Sequence, residues 1–145
     1  MPEYPAFASY EALLALIEAA ERLKIRNYHV GVTATTADFY AGQNRWTLEG
    51  ASQCGADLLA KLQEVNVLNF EMETATLYTL AGIYGLRAGS VCAVYANHFT
   101  NVFEPGAGEA NAIKIANEAV KILNEWDLIK VKKKKAWLFP SLLGK

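Results

Sequence analysis

Apolar residues recur every three or four positions in two long segments, one near each end of the chain. In residues 10–23 they fall on one helical face and the glutamates lie elsewhere, which predicts an amphipathic helix. Ser9, just before this segment, is a residue type that caps helices. The same spacing predicts a last helix over residues 109–126 and a short helix over residues 57–64.

Shorter stretches rich in β-branched and apolar residues predict strands. Residues 28–35 and 90–96 have this character, and so does the apolar run at residues 65–68. A helix is predicted from residue 74 to 84, where Gly85 would end it. The resulting alternation of helices and strands predicts an α/β layered fold with a largely parallel or mixed sheet flanked by helices.

Two carboxylates stand where the second predicted strand meets the following helix. Glu71 and Glu73 are separated by Met72, and the positive end of the helix dipole tolerates acids at this place. Open α/β sheets bind ligands beyond the carboxyl ends of their strands, and ionised carboxylates accept hydrogen bonds from hydroxyls such as those of a sugar. From spacing alone, two ordinary first-turn acids are the stronger interpretation.

The segment between the first strand and the short helix has no regular pattern but contains an unusual cluster. Phe39 offers a flat apolar face, Gln43 an amide and Arg45 a planar fork of donors. Together these groups suit a flat heterocycle with adjacent carbonyl and N–H groups, such as a pyrimidine. On residue types alone, a solvated loop with an anchoring aromatic ring is favoured instead.

Composition narrows the function classes. The chain has 145 residues, which fits one domain, and its net charge of -1 argues against a general nucleic-acid binder. No run approaches the length of a membrane span, and no signal peptide is evident, so we expect a cytoplasmic protein without membrane association. Cys54 and Cys92 are expected to be free thiols, and no metal-ligand spacing is present, so no metal site is expected.

The last residues differ from the rest of the chain. Residues 132–135 are four lysines, and an apolar group including Trp137 and Phe139 follows. We therefore divide the chain into a main part, residues 1–126, and a basic and apolar tail, residues 127–145. The tail is interpreted as a disordered or locally packed terminus, with a membrane-surface or acidic-partner anchor as the alternative.

Four segments together resemble the uridine phosphorylases of the nucleoside phosphorylase-I family. They are residues 31–36 (GVTATT), 39–45 (FYAGQNR), 69–77 (NFEMETATL) and 85–91 (GLRAGSV), in the family's order and spacing. The resemblance covers residues 1–123, corresponds to the family's C-terminal half and leaves the tail outside. The Gln-x-Arg element distinguishes the uridine enzymes from their purine relatives.

The resemblance implies part of a three-layer α/β/α sandwich of the nucleoside phosphorylase type. It also implies reversible phosphorolysis of uridine to uracil and ribose 1-phosphate, a pentosyltransferase reaction of pyrimidine salvage. Inorganic phosphate would be the co-substrate, and no cofactor is expected. The family's phosphate-binding elements lie in the half that does not align, so we expect a homo-oligomer, or a partner chain that supplies this half.

The resemblance also implies roles for individual residues. Gln43, Arg45 and Glu73 would be the catalytic residues: the first two bind uracil, and Glu73 accepts from the ribose hydroxyls. The other substrate-binding residues would be Phe39 at the base, Glu71 and Met72 along the ribose, and Tyr95 and Ala96 at the wall of the base pocket. The chain departs from the family at Ala41, where proline is usual, and at His98, where arginine is usual. The alternative is a non-catalytic nucleoside-binding or oligomerisation module.

Overall fold

The computed structural model describes residues 4–43 and 58–144, which divide into two compact units. The first unit comprises Met1–Phe7 and His29–Tyr84, and the second comprises Ala8–Tyr28 and Gly85–Lys145.

The first unit contains a two-stranded parallel sheet. Strand β1, Val32–Thr35, pairs with β2, Val67–Glu71, so that Val32 lies opposite Val67 and Thr35 opposite Glu71. The strand predicted for residues 28–35 is therefore confirmed only in its second half, because ladder bonds begin where β2 offers a partner.

Two helices of the first unit agree with the sequence pattern. Helix α2 spans Leu58–Glu64 and ends before β2, and helix α3 spans Thr74–Ile83 directly after the acidic turn. Gly85 has a φ of 66°, in the left-handed region where glycine is favoured after a helix. The predicted end of α3 is thus confirmed.

The second unit is built on two long helices packed against each other. Helix α1 spans Tyr10–Arg22, and helix α4 spans Glu109–Lys133. Alanines on α1 let the two backbones approach, while larger apolar side chains come from α4 and from the chain beyond it. The buried cluster consists of Ala15, Ala19, Ala20, Ile115, Ala119, Ile122, Trp126, Leu138 and Leu142.

Ser9 occupies the predicted capping position but its hydroxyl has another partner. The Ser9 hydroxyl accepts a hydrogen bond from the Ala88 N–H at 3.0 Å, and the Ser9 N–H donates to the Ala88 carbonyl at 2.8 Å. The start of α1 is therefore tied to residue 88 rather than capped by the serine side chain.

The strand predicted for residues 90–96 is wrong over most of its length. The structure places only a short strand there, β3, Ala96–Asn97, which pairs antiparallel with β4, Val102–Phe103. A strand needs a neighbour to complete its backbone hydrogen bonds. Among the described residues, neither sheet offers one to residues 90–95.

The tail is packed within the second unit. Helix α4 continues to Lys133, across the predicted boundary at residue 126, and Lys134 ends it with a φ of 52°. The chain then turns back into a short helix α5, Pro140–Leu143, and buries Leu138 and Leu142 in the core. This agrees with a locally packed terminus. In the described part of the chain, no helix has the length and apolar character that crossing a bilayer requires.

A buried carboxylate joins three segments of the second unit. Glu11 on α1 accepts hydrogen bonds from Arg87 at 2.8 Å, from Lys130 on α4 at 2.7 Å and from the Leu138 N–H at 3.1 Å. Burial alone would raise the pKa of Glu11, but the bonds from Lys130, Arg87 and Leu138 outweigh it and lower that pKa. Asp127 pairs with the same two cations, so the cluster carries no net charge.

Replacing Glu11 by glutamine should destabilise the second unit strongly. The substitution leaves Arg87 and Lys130 without their buried counter-charge, which we expect to lower the free energy of unfolding by about 3 kcal/mol. Thermal and urea unfolding measure the change. The matched control is Glu18→Gln on the exposed side of α1, where the Arg22 ion pair should contribute less than about 0.5 kcal/mol.

The Glu11→Gln variant should also differ from wild type in its stability to acid. Because the pKa of folded Glu11 is lowered, its contribution is complete above the ordinary glutamate value, 4.5, and is lost as the pH falls through the folded value. Below pH 4.5 the wild-type chain should therefore lose stability more steeply than Glu11→Gln. Parallel curves for the two proteins would contradict this account.

Candidate active site

The two segments that would form the halves of the pocket lie at the same edge of the sheet of the first unit. Thr35 and Glu71 are register partners at the carboxyl ends of β1 and β2. The loop with Phe39 and Gln43 follows β1, and the turn with Met72 and Glu73 follows β2. Parallel strands expose their carboxyl ends together, which is where ligands bind in such sheets.

Glu71 is the centre of a hydrogen-bond network at this edge. The Thr35 hydroxyl donates to one carboxylate oxygen, and the other oxygen accepts from the N–H groups of Glu73 at 2.8 Å and Thr74 at 2.6 Å. The Ala75 N–H donates to the Thr35 hydroxyl oxygen at 3.0 Å. A carboxylate from the preceding strand thereby satisfies N–H groups at the start of α3, which otherwise lack partners.

The charge on Glu71 is stabilised where it stands. Burial would raise its pKa, but hydrogen bonds from the hydroxyls of Thr35 and Thr74 and from two backbone N–H groups outweigh burial and lower it. The Glu71 carboxylate is therefore held in its ionised form at the start of the helix.

Glu73 and Met72 are presented differently from Glu71. Both are exposed at the turn, and Glu73 occupies the position that precedes α3. The Glu73 carbonyl accepts the Leu77 N–H at 3.0 Å, so its backbone is fixed on both sides while its carboxylate faces solvent.

The loop after β1 is organised by an aspartate. Asp38 accepts hydrogen bonds from the N–H groups of Gly42 at 2.9 Å and Tyr40 at 3.2 Å, and these bonds lower its pKa. They hold a turn of 3-10 helix, Ala41–Gln43, in which Gln43 is buried. Phe39 remains half exposed and meets the ring of Tyr40 edge-on, with 5.4 Å between ring centroids. Arg45 lies outside the described residues.

The sequence did not predict a role for two residues of this edge. Thr35 joins β1 to both Glu71 and α3, and Asp38 folds the loop that carries Phe39 and Gln43. An aspartate two to four residues before a glycine is a turn signal that could have been found. The role of Thr35 depends on its register opposite Glu71, which the sequence does not reveal.

The remaining predicted residues belong to the second unit. Tyr95 donates a hydrogen bond from its hydroxyl to Glu109 at 3.2 Å, and burial together with this bond raises its pKa. Ala96 lies in β3 opposite Phe103. His98 follows β3 in the turn to β4 and is partly buried. Among the residues that the structure describes, no three side chains of His, Cys, Asp or Glu are grouped as a metal would require.

Sequence comparison with known proteins identifies the family of the chain. The family model of the phosphorylase superfamily matches residues 2–125. The chain is 55% identical to uridine phosphorylase of Thermococcus kodakarensis over 143 residues, which is 98% of this chain and 51% of that protein. It is 39% identical to uridine phosphorylase of Escherichia coli over 127 residues, 83% of this chain and 50% of that protein. A guanosine phosphorylase of Halorubrum lacusprofundi is 35% identical over 95 residues, 66% of this chain and 34% of that protein.

The chain belongs to the phosphorylase superfamily, and the resemblance to its uridine phosphorylases is confirmed. Mixed helices and small sheets are the fold that the described residues show. The chain spans about half the length of the curated relatives it matches. The similarity to the Thermococcus protein extends into the tail, so the expectation that the tail has no family counterpart is wrong.

Removing the Asp38 carboxylate should loosen the loop that carries Phe39 and Gln43. In Asp38→Ala the N–H groups of Tyr40 and Gly42 lose their acceptor, and we expect their amide hydrogens to exchange severalfold faster. Asp38→Asn retains one acceptor oxygen and should fall between the alanine variant and wild type. Unchanged exchange at Gly42 in Asp38→Ala would show that the turn does not depend on this side chain.

Proposed function

We propose that this chain is the base- and ribose-binding half of a uridine phosphorylase. The observation that carries the proposal is the 55% identity to a uridine phosphorylase over nearly the whole chain. The common sheet edge of the Phe39–Gln43 loop and the Met72–Glu73 turn supports it. In the reaction, the bond between ribose C1′ and the uracil nitrogen breaks, and a bond from C1′ to a phosphate oxygen forms.

On the base side, Gln43 and Arg45 hydrogen-bond uracil, and Phe39 packs near it. The resemblance assigns Tyr95 and Ala96 to the wall of the base pocket, and this assignment stays a prediction. Negative charge develops on the departing base, so the bonds from Gln43 and Arg45 strengthen in the transition state and accelerate the reaction. The Gln-x-Arg element favours a pyrimidine over the purine named for the Halorubrum relative.

On the ribose side, Glu73 accepts hydrogen bonds from the sugar hydroxyls beside Met72, and Glu71 backs this turn. Positive charge develops on the ribose as the glycosidic bond breaks, and an ionised carboxylate near the sugar favours that charge. The nucleophile is inorganic phosphate, so no nucleophilic side chain and no cofactor are required.

In this proposal the chain acts in a homo-oligomer or with a partner chain, and the phosphate-binding elements come from the half of the relatives that this chain does not cover. The phosphorylase-like part is residues 1–126. Together with the half that this chain does not cover, its small sheets would form part of a three-layer α/β/α sandwich. The proposed location of the protein is the cytoplasm. Both units leave strand-forming or helical apolar surface exposed, as expected where another polypeptide packs. The exposed large side chains include Val32, Leu68, Val94, Ile113, Val120, Leu128 and Val131.

Two substitutions separate the base side from the ribose side. Glu73→Gln should weaken uridine binding about tenfold while leaving uracil binding within about twofold, because uracil has no sugar hydroxyls. Gln43→Leu should weaken both ligands, because the buried amide is replaced by an apolar side chain. Isothermal titration calorimetry measures both, with Glu64→Gln on α2 as a control expected to match wild type. Equal losses of uridine and uracil in Glu73→Gln would contradict the ribose assignment.

The missing half can be supplied directly. The isolated chain should release little uracil from uridine and phosphate. Co-expression with the half of the Thermococcus relative that this chain does not match should restore turnover. Uracil release and the mass of the purified assembly are the measurements. Robust turnover by the isolated chain would contradict the incomplete site.

The exposed outer face of α4 favours a second candidate, a non-catalytic oligomerisation module. Ile113, Val120 and Val131 lie on the side of α4 opposite its buried residues. A stable oligomer that gives no heat with uridine, uracil or thymidine would favour this candidate over the phosphorylase.

A further inference from the structure

The Thr35 side chain links three elements of the first unit through a single hydroxyl. It donates to the Glu71 carboxylate at the end of β2 and accepts from the Ala75 N–H in the first turn of α3. Thr35 itself is the last residue of β1. The relative placement of the two strands and the helix thus passes through one side chain.

The Glu71 carboxylate has its acceptor capacity filled by these local donors. An ionised carboxylate offers about four lone-pair sites. The Thr35 hydroxyl, the Thr74 hydroxyl and the N–H groups of Glu73 and Thr74 are directed at them. A sugar hydroxyl would have to displace one of these donors to bond with Glu71.

In this arrangement the Glu73 side chain does not cap α3. The residue before a helix commonly accepts N–H bonds with its own side chain. In the described structure Glu73 makes no such bond, since the Ala75 N–H, which a capping side chain would satisfy, donates to the Thr35 hydroxyl instead. The Glu73 carboxylate is therefore exposed on a backbone that its neighbours hold.

We propose that Thr35 and Glu71 are positioning residues, which fix the backbone of Glu73 so that its carboxylate can meet the ribose. This inference rests on the proposed function for the role of Glu73. It assigns Glu71 an effect through the turn rather than through contact with the sugar, and it gives Thr35 a role in recognition of the nucleoside.

The test compares Thr35→Val with Thr35→Ser in the full chain. Valine has nearly the shape of threonine but lacks the hydroxyl, whereas serine retains it. In the ligand-free protein, Thr35→Val should speed amide exchange at Glu73, Thr74 and Ala75 by about tenfold, the size expected for a lost bond to a charged group. Thr35→Ser should stay near wild type.

A matched control lies on the same strand. Thr33 donates its hydroxyl to the Asn69 carbonyl at 3.3 Å, away from the acidic turn. Thr33→Val should leave exchange at residues 73–75 unchanged. Should Thr35→Val fail to fold by circular dichroism, Thr35→Ala carries the same comparison, since it removes the hydroxyl without adding a methyl group.

Ligand titration measures a difference between uridine and uracil binding that a purely structural role of Thr35 would not produce. Thr35→Val should weaken uridine binding about tenfold and uracil binding less than about twofold, with recovery in Thr35→Ser. Equal losses for uridine and uracil, or unchanged exchange at residues 73–75, would overturn the inference. If the wild-type chain binds neither ligand, the proposed function fails, and the exchange rates alone then decide whether Thr35 and Glu71 hold the turn.

Discussion

The start of helix α3 imposes the constraint on which the candidate site depends. The first N–H groups of a helix need acceptors, and here they are met by Glu71, a residue of the preceding strand. The carboxylate can do this only if β2 ends where α3 begins and if Thr35 of β1 lies opposite it. Strand register, helix start and the exposure of Glu73 are therefore consequences of one arrangement of donors around a single charge.

The loop on the other side of the site obeys the same logic on a smaller scale. Asp38 gathers backbone N–H groups and bends the chain into a helical turn that buries Gln43. In both places an ionised carboxylate organises backbone donors, which lowers its pKa and leaves neighbouring side chains exposed. Phe39 and Glu73 are the side chains that this leaves at the edge of the sheet.

The small sheets agree with a chain that spans about half of its relatives. Two-stranded sheets are rarely stable alone, and parallel ones are normally covered on both faces. Val32 and Leu68 are exposed on the two strands of the first unit, and Val94 is exposed in residues 90–95 of the second, which form no strand. The second unit is stabilised by contacts of its own, because the Glu11 cluster and the buried residues of the tail join α1, α4 and the last residues of the chain.

The sequence by itself determined the four longer helices apart from the end of α4, the glycine that ends α3 and the family, because helical periodicity and short motifs are local properties of the chain. It also placed Phe39, Gln43, Met72 and Glu73 in segments that follow strands. Local pattern could not decide that residues 90–95 would form no ladder, since a strand is defined by its neighbour. Nor could it reveal Ser9 bonding to Ala88, the tail folding back onto α1, or the bond from Thr35 to Glu71. Those contacts join residues far apart in the chain, and only the tertiary structure brings donor and acceptor within reach.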